Sequence, residues 1–109
     1  CDKHSQIAKD HPEWILKREN SSSAANSANC GKFFYGLDTT HPGVQAHIRD
    51  CIHTACNVWG FQYLKLDFLY SAVLGEGQGA HYDRTLTHAQ VILLFVTVGI
   101  NKTHSLPNH

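Results

Sequence analysis

The sequence predicts an α/β fold built on parallel strands. Three features carry that reading: an aromatic-rich apolar run at residues 33–38, a second alternating run at 63–68, and an amphipathic helix between them. Strand, helix and strand in that order describe a right-handed βαβ crossover. The strand starts, Phe33 and Tyr63, are spaced like the units of a (β/α)8 barrel, which take about 30 residues each. Two parallel strands cannot cover both faces of a sheet, and a complete barrel takes about 250 residues. The 109 residues are therefore expected to be a fragment of a barrel or of a doubly wound sheet.

Taken in order, Ser5 to Lys17 reads as a short helix interrupted by Pro12, with Trp14, Ile15 and Leu16 as buried anchors. Glu19 to Gly31 is rich in Ser, Asn and Ala, lacks apolar periodicity and reads as a loop. Phe33-Phe34-Tyr35-Gly36-Leu37-Asp38 suits a strand. Pro42 fits the first position of a helix, where its missing N–H costs nothing, with Thr40 or His41 as cap. From Val44 to Trp59, the residues Val44, Ile48, Cys51, Ile52, Ala55 and Trp59 trace one helical face, and Gly60 ends it. In Tyr63 to Phe68, strand alternation places Leu64, Leu66 and Phe68 on one face, and Tyr63, Lys65 and Asp67 on the other. Gly75 to Gly79 reads as a flexible loop, and Thr85 or Thr87 can cap a helix beginning near Leu86.

Composition excludes several classes. Apolar residues make up 42% and charged residues 17%, too apolar for a disordered segment. Nine Lys+Arg balance nine Asp+Glu, so no charge-driven nucleic-acid binder is expected. The longest apolar run, Val91 to Val96, is far below the roughly 18 to 20 residues of a membrane span, and no membrane partner is expected. The sequence opens on Cys1 and Asp2 without Met, a charged leader or an apolar signal core, and localisation is not read from this end. Asn20-Ser21-Ser22 and Asn101-Lys102-Thr103 match the N-glycosylation acceptor pattern at a frequency that chance accounts for.

The cysteines Cys1, Cys30, Cys51 and Cys56 show no CxxC spacing. Cys51 and Cys56 lie within the predicted helix, where free thiols pack as small apolar groups, although a disulfide framework remains an alternative. His47 and Cys51 have i, i+4 spacing. Without two further ligands at fixed spacing they do not make a metal site, and no metal is expected.

Chemistry concentrates at the predicted strand ends. In parallel α/β folds the C-terminal ends of the strands face the active site. Asp67 ends the second strand, Lys65 shares its face, and Asp38 holds the corresponding place on the first. A neighbouring ammonium favours the ionised carboxylate that a nucleophile needs. The plainer alternatives are a Lys65–Asp67 ion pair lining a barrel lumen and an Asp38 that caps the turn into the following helix.

At these residues a family resemblance enters. Trp59-Gly60-Phe61-Gln62-Tyr63-Leu64-Lys65-Leu66-Asp67-Phe68 resembles the nucleophile strand of glycoside hydrolase family 36, the α-galactosidase family that also holds raffinose-synthase-like members. His11-Pro12-Glu13-Trp14 resembles that family's HPDW segment, and Leu37-Asp38-Thr39-Thr40-His41-Pro42 its LD-x-[ST]-x-P strand end. Tyr82 to Gln90 resembles the stretch leading into its next helix. The resemblance covers about residues 2–90, and the motifs stand in the family's order.

The resemblance implies a partial (β/α)8 TIM barrel, with residues 33–38 as the third strand and 63–68 as the fourth. It implies a retaining hydrolase of terminal α-galactosides, with Asp67 as nucleophile and Lys65 hydrogen-bonding sugar hydroxyls. Asp38 and Lys32 are the further substrate-binding candidates; Lys32 stands where the family often has Arg, keeping the charge and losing the bidentate fork. The acid/base carboxyl lies on a later strand in the family, so residues 1–90 are expected to be a catalytic-domain fragment that is inactive alone. Residues 91–109 depart from the family's amphipathic helix and are expected to form a divergent tail. No cofactor is called for, since this chemistry needs only carboxyls; the partner is the galactoside. The alternatives are a raffinose-synthase-like galactosyltransferase, in which a sugar hydroxyl replaces water, and a small non-catalytic binding module.

Overall fold

The structure is a computed structural model and describes residues 1–17, 26–29, 32–67, 69–73 and 81–94. Ser5 starts the first helix, α1 (Gln6–Asp10), by accepting the Ala8 N–H on its hydroxyl at 3.3 Å. Its own hydroxyl proton goes to the Asp2 carbonyl at 2.6 Å. Pro12 prevents continuation and opens a 3-10 turn, Pro12–Trp14, at a position where its lack of an N–H is harmless. The chain then runs beside residues 36–38. Leu16 N–H donates to the Gly36 carbonyl at 2.9 Å, Asp38 N–H to the Trp14 carbonyl at 2.8 Å, and Ile15 and Leu37 form an antiparallel bridge.

The sheet is a two-stranded antiparallel ribbon, β1 (Asn26–Asn29) against β2 (Lys32–Tyr35), with Asn26 opposite Tyr35 and Asn29 opposite Lys32. On the other side of β2, Asp2 bridges Phe34 and the Tyr35 N–H donates to the Cys1 carbonyl at 2.7 Å. This differs from the expected pairing in two ways. The aromatic run does form a strand, but it ends at Tyr35, and its strand neighbour comes from the Ser/Asn-rich stretch expected to be a loop. No ladder partner reaches residues 61–67 among the described residues, and no parallel pair is present among them. A strand exists only through its neighbour's hydrogen bonds; β2 finds one a few residues away, whereas 63–67 has the right alternation but forms no strand among the described residues. Phe68 lies outside the described residues.

The central helix, α2 (Pro42–His53), begins at Pro42 as expected. His41 caps it with Nδ1 accepting the Gly43 N–H at 3.0 Å. The helix continues into a π turn, Thr54–Val58, and ends at Gly60, whose φ of 78° lies in the left-handed region that glycine enters without steric cost. Val44 and Ile52 are buried, but Trp59, expected on the same face, is exposed. The π turn explains this: closed by an i→i+5 hydrogen bond from Trp59 N–H to the Thr54 carbonyl at 2.9 Å, it rotates the residues after it out of α-helical phase. A 3-10 turn follows at Leu69–Val73 with Ala72 buried.

The last described helix, α3 (88–94), starts at Thr87 with a reciprocal capping box. Thr87 Oγ1 accepts the Gln90 N–H at 3.3 Å, and Gln90 Oε1 accepts the Thr87 N–H at 2.8 Å. Leu16, Val44 and Val91 are fully buried and, with Ile15, Ile52 and Ala72, make up the buried apolar core among the described residues. Residues 95–109, most of the expected tail, lie outside the described residues. No helix among the described residues is long and apolar enough to cross a membrane.

Candidate functional site

The described residues hold two polar constellations, one buried and one exposed. The buried one centres on Asp38, just past the end of β2 and only 5% exposed. Its Oδ1 accepts the Thr40 N–H at 3.1 Å and the Thr40 hydroxyl at 2.6 Å, closing a turn that leads into α2. The same oxygen lies 3.2 Å from His81 Nδ1, and Oδ2 accepts the Tyr82 N–H. The Asp83 N–H then donates to the Thr40 hydroxyl oxygen at 2.9 Å. Asp38 and Thr40 thus bind the backbone of residues 82–83 directly.

Burial pushes the Asp38 carboxyl up, but the hydrogen bonds from His81, Thr40 and Tyr82 outweigh it and hold the group below the usual aspartate range. Asp38 is therefore a carboxylate whose lone pairs point at protein donors. The turn-capping role expected as an alternative for Asp38 describes its bonds to Thr40. Its bonds to residues 81 and 82 had no local sign in the sequence.

Aromatic rings surround this clasp. The His41 ring meets the Tyr82 ring edge-on, with centroids 5.0 Å apart and an interplanar angle of 61°. Trp14 stacks on His11 at 3.8 Å, within 6° of parallel, and His11 Nδ1 is 3.0 Å from Glu13 Oε1. His81 and His88 rings approach to 6.4 Å. The Tyr82 side remains open to solvent, at 66% exposure. Asp83 accepts the Thr85 hydroxyl and the Thr85 N–H, and these two bonds hold its carboxyl below the usual range. Thr39 Oγ1 is buried and has no hydrogen-bond partner among the described residues.

The exposed constellation is Lys65 and Asp67. Nζ lies 3.3 Å from Oδ2, with side chains 75% and 58% exposed. Two residues of separation bring the charges together as expected, at the surface of the described residues rather than in an enclosed cleft. Exposed aromatic residues precede the pair: Trp59, Phe61 and Tyr63. Lys32 lies on β2, and its side chain is outside what the structure describes.

Cys51 Sγ and His47 Nε2 are 3.4 Å apart on α2. No group of three metal-ligating side chains occurs among the described residues, and Cys1, Cys51 and Cys56 are free thiols. Compared with known proteins, the chain matches no protein-family model and no curated protein at a significant level.

Proposed function

We propose that this chain is part of the catalytic (β/α)8 barrel of a retaining glycoside hydrolase acting on terminal α-galactosides. The observation that carries the reading is the Lys65–Asp67 pair, a carboxylate and an ammonium 3.3 Å apart and open to solvent. It follows two motifs of the same family in the family's order, at residues 11–14 and 37–42.

In this reading an Asp67 oxygen attacks the anomeric carbon and forms a glycosyl ester as the glycosidic C–O bond breaks. The leaving oxygen takes its proton from a second carboxyl about 5 to 5.5 Å away, which in the family belongs to a later strand. That carboxylate then deprotonates a water whose attack on the anomeric carbon frees Asp67. Lys65 and Lys32 donate hydrogen bonds to sugar hydroxyls, and those bonds strengthen as the oxocarbenium-like charge develops. Asp38 belongs to the same subsite through the loop it holds. In this reading residues 63–68 become a strand when neighbouring barrel strands supply a ladder.

The reading is tested in the protein that joins this chain to the remaining barrel strands. Asp67→Asn abolishes turnover of an aryl α-galactoside there, and undiminished turnover in that variant overturns the reading. A chain that binds galactosides but never turns them over, even when so joined, points instead to the non-catalytic binding module.

A further inference from the structure

We propose that Tyr82 is a sugar-contacting residue that stacks on the apolar face of a pyranose ring, and that Asp38 and His81 are the positioning residues that hold it there. The inference rests on the glycosidase reading for the class of ligand, and on the geometry of the clasp for the residue.

Four observations converge on Tyr82. Its main-chain N–H is bound by the carboxylate of Asp38, a residue only 5% exposed. The residues on either side are tied to the same place: His81, 4% exposed, lies 3.2 Å from Asp38 Oδ1, and Asp83 N–H donates to Thr40 at 2.9 Å. The Tyr82 side chain itself stays outside, with the residue 66% exposed. One edge of its ring is braced by His41, whose own ring is fixed as the cap of α2.

A buried carboxylate, an imidazole and a threonine thus fix the backbone beneath an aromatic ring that is left in solvent. Fixing a contact residue before binding removes most of the ordering cost that a ligand would otherwise meet. Tyrosine suits such a place because its ring offers a large rigid face with few rotatable bonds, together with a hydroxyl that remains hydrated. The negative face of the ring attracts the weakly positive C–H bonds that line one side of a galactopyranose. The clasp follows the C-terminal end of β2, which in the barrel reading is a strand end that faces the substrate.

The experiment titrates the protein that joins this chain to the remaining barrel strands with methyl α-D-galactopyranoside and follows the Tyr82 ring and amide resonances by NMR. In parallel, a fluorinated galactosyl fluoride tests whether Asp67 becomes glycosylated. The expected result is saturable movement of the Tyr82 signals. Tyr82→Phe keeps the affinity within about twofold, and Tyr82→Leu weakens it about tenfold, since a stacked aromatic pair contributes on that scale. The Leu variant preserves bulk, and amide exchange at residues 81–83 reports whether the clasp is still closed. His81→Asn weakens galactoside binding in step with faster exchange at Tyr82, and added galactoside slows that exchange again, a response that a purely structural contact would not give.

Wild-type affinity in Tyr82→Leu, or no galactoside binding by the wild-type joined protein, overturns the inference. The underlying reading fails separately. Tyr82 signals that move while Asp67 is never glycosylated leave a sugar site without the hydrolase; glycosylated Asp67 with undiminished binding in Tyr82→Leu leaves the hydrolase without this contact.

Discussion

Asp38 Oδ1 lies 3.2 Å from His81 Nδ1, joining two buried side chains 43 positions apart in the sequence. This contact, with the Tyr82 and Thr40 bonds beside it, fastens the segment before α3 to the turn that starts α2. One carboxylate with several donors on it thus links the two segments.

Asp38→Ala strands those donors. Thr40 N–H, Tyr82 N–H and His81 lose their shared acceptor in a site with little access to water. Each buried donor left without its acceptor costs about 1 to 3 kcal/mol. At about 4 to 8 °C of melting temperature per kcal/mol for a small domain, the variant melts more than about 10 °C lower in a circular dichroism scan. Asp38→Asn keeps one carbonyl acceptor and falls between the two. A melt unchanged in both variants would show that the clasp contributes nothing.

Acid has a signed effect through the same group. Because the folded state holds the Asp38 carboxyl below its usual value, it binds a proton less readily than the unfolded chain does. The clasp therefore contributes its full stability above the unfolded value of about 3.9 and loses it as pH falls from there through the lower folded value. Urea midpoints measured from neutral pH down to pH about 2 drop on this limb, and Asp38→Asn flattens the drop. An acid limb equally steep in that variant would assign it to other carboxyls.

Gly43 faces the Trp14 indole with no room for a side chain. A Cβ there would stand 2.7 Å from Trp14 Nε1 and 2.9 Å from Cε2 and Cζ2. The indole cannot easily withdraw, since His11 is stacked on it at 3.8 Å. Gly43→Ala therefore destabilises by about 1 to 3 kcal/mol through overpacking, although alanine is the better helix former. Denaturant melts and Trp14 fluorescence measure it; a stabilised variant would show that the contact yields.

His41 caps α2 with a ring nitrogen where a short oxygen side chain is usual. His41→Ala costs about 1 kcal/mol, and His41→Asp, which restores an acceptor for the Gly43 N–H, recovers most of it. Equal losses in both variants would assign the effect to the ring contact with Tyr82 instead of the cap.

Much of this organisation is legible one element at a time. Pro12, Pro42 and Gly60 mark boundaries through their backbone chemistry and Thr87 through its side-chain oxygen, and the structure uses all four. β1 escapes detection because Asn26-Ser27-Ala28-Asn29 carries no apolar alternation; its pairing rests on main-chain bonds to β2. Residues 63–67 show the converse, a strand pattern with no ladder among the described residues. The Lys65–Asp67 contact follows from their spacing. His81 has no such local signature, because its partner is distant in sequence and a lone histidine after glycines reads as surface. Asp38 was legible as a turn cap and not as the anchor of a second segment.

Lys65 and Asp67 form an exposed pair, and an exposed ion pair contributes only about 0 to 1 kcal/mol to stability. Lys65→Ala therefore leaves the melting temperature nearly unchanged. If Lys65 holds sugar hydroxyls, the same change lowers kcat/KM for an aryl α-galactoside by at least about tenfold in the barrel-containing protein, the worth of one charge-assisted hydrogen bond. A large fall in melting temperature with kcat/KM intact would make Lys65 structural.

Asp67 as nucleophile is tested most directly by mass spectrometry of the protein that joins this chain to the remaining barrel strands, after treatment with a fluorinated galactosyl fluoride. Fluoride departs without a general acid, so the adduct requires only the attacking carboxylate and a place for the sugar. The account predicts a single glycosyl adduct mapped to Asp67 and absent from Asp67→Asn. An adduct on another residue, or none on the wild-type protein, contradicts it.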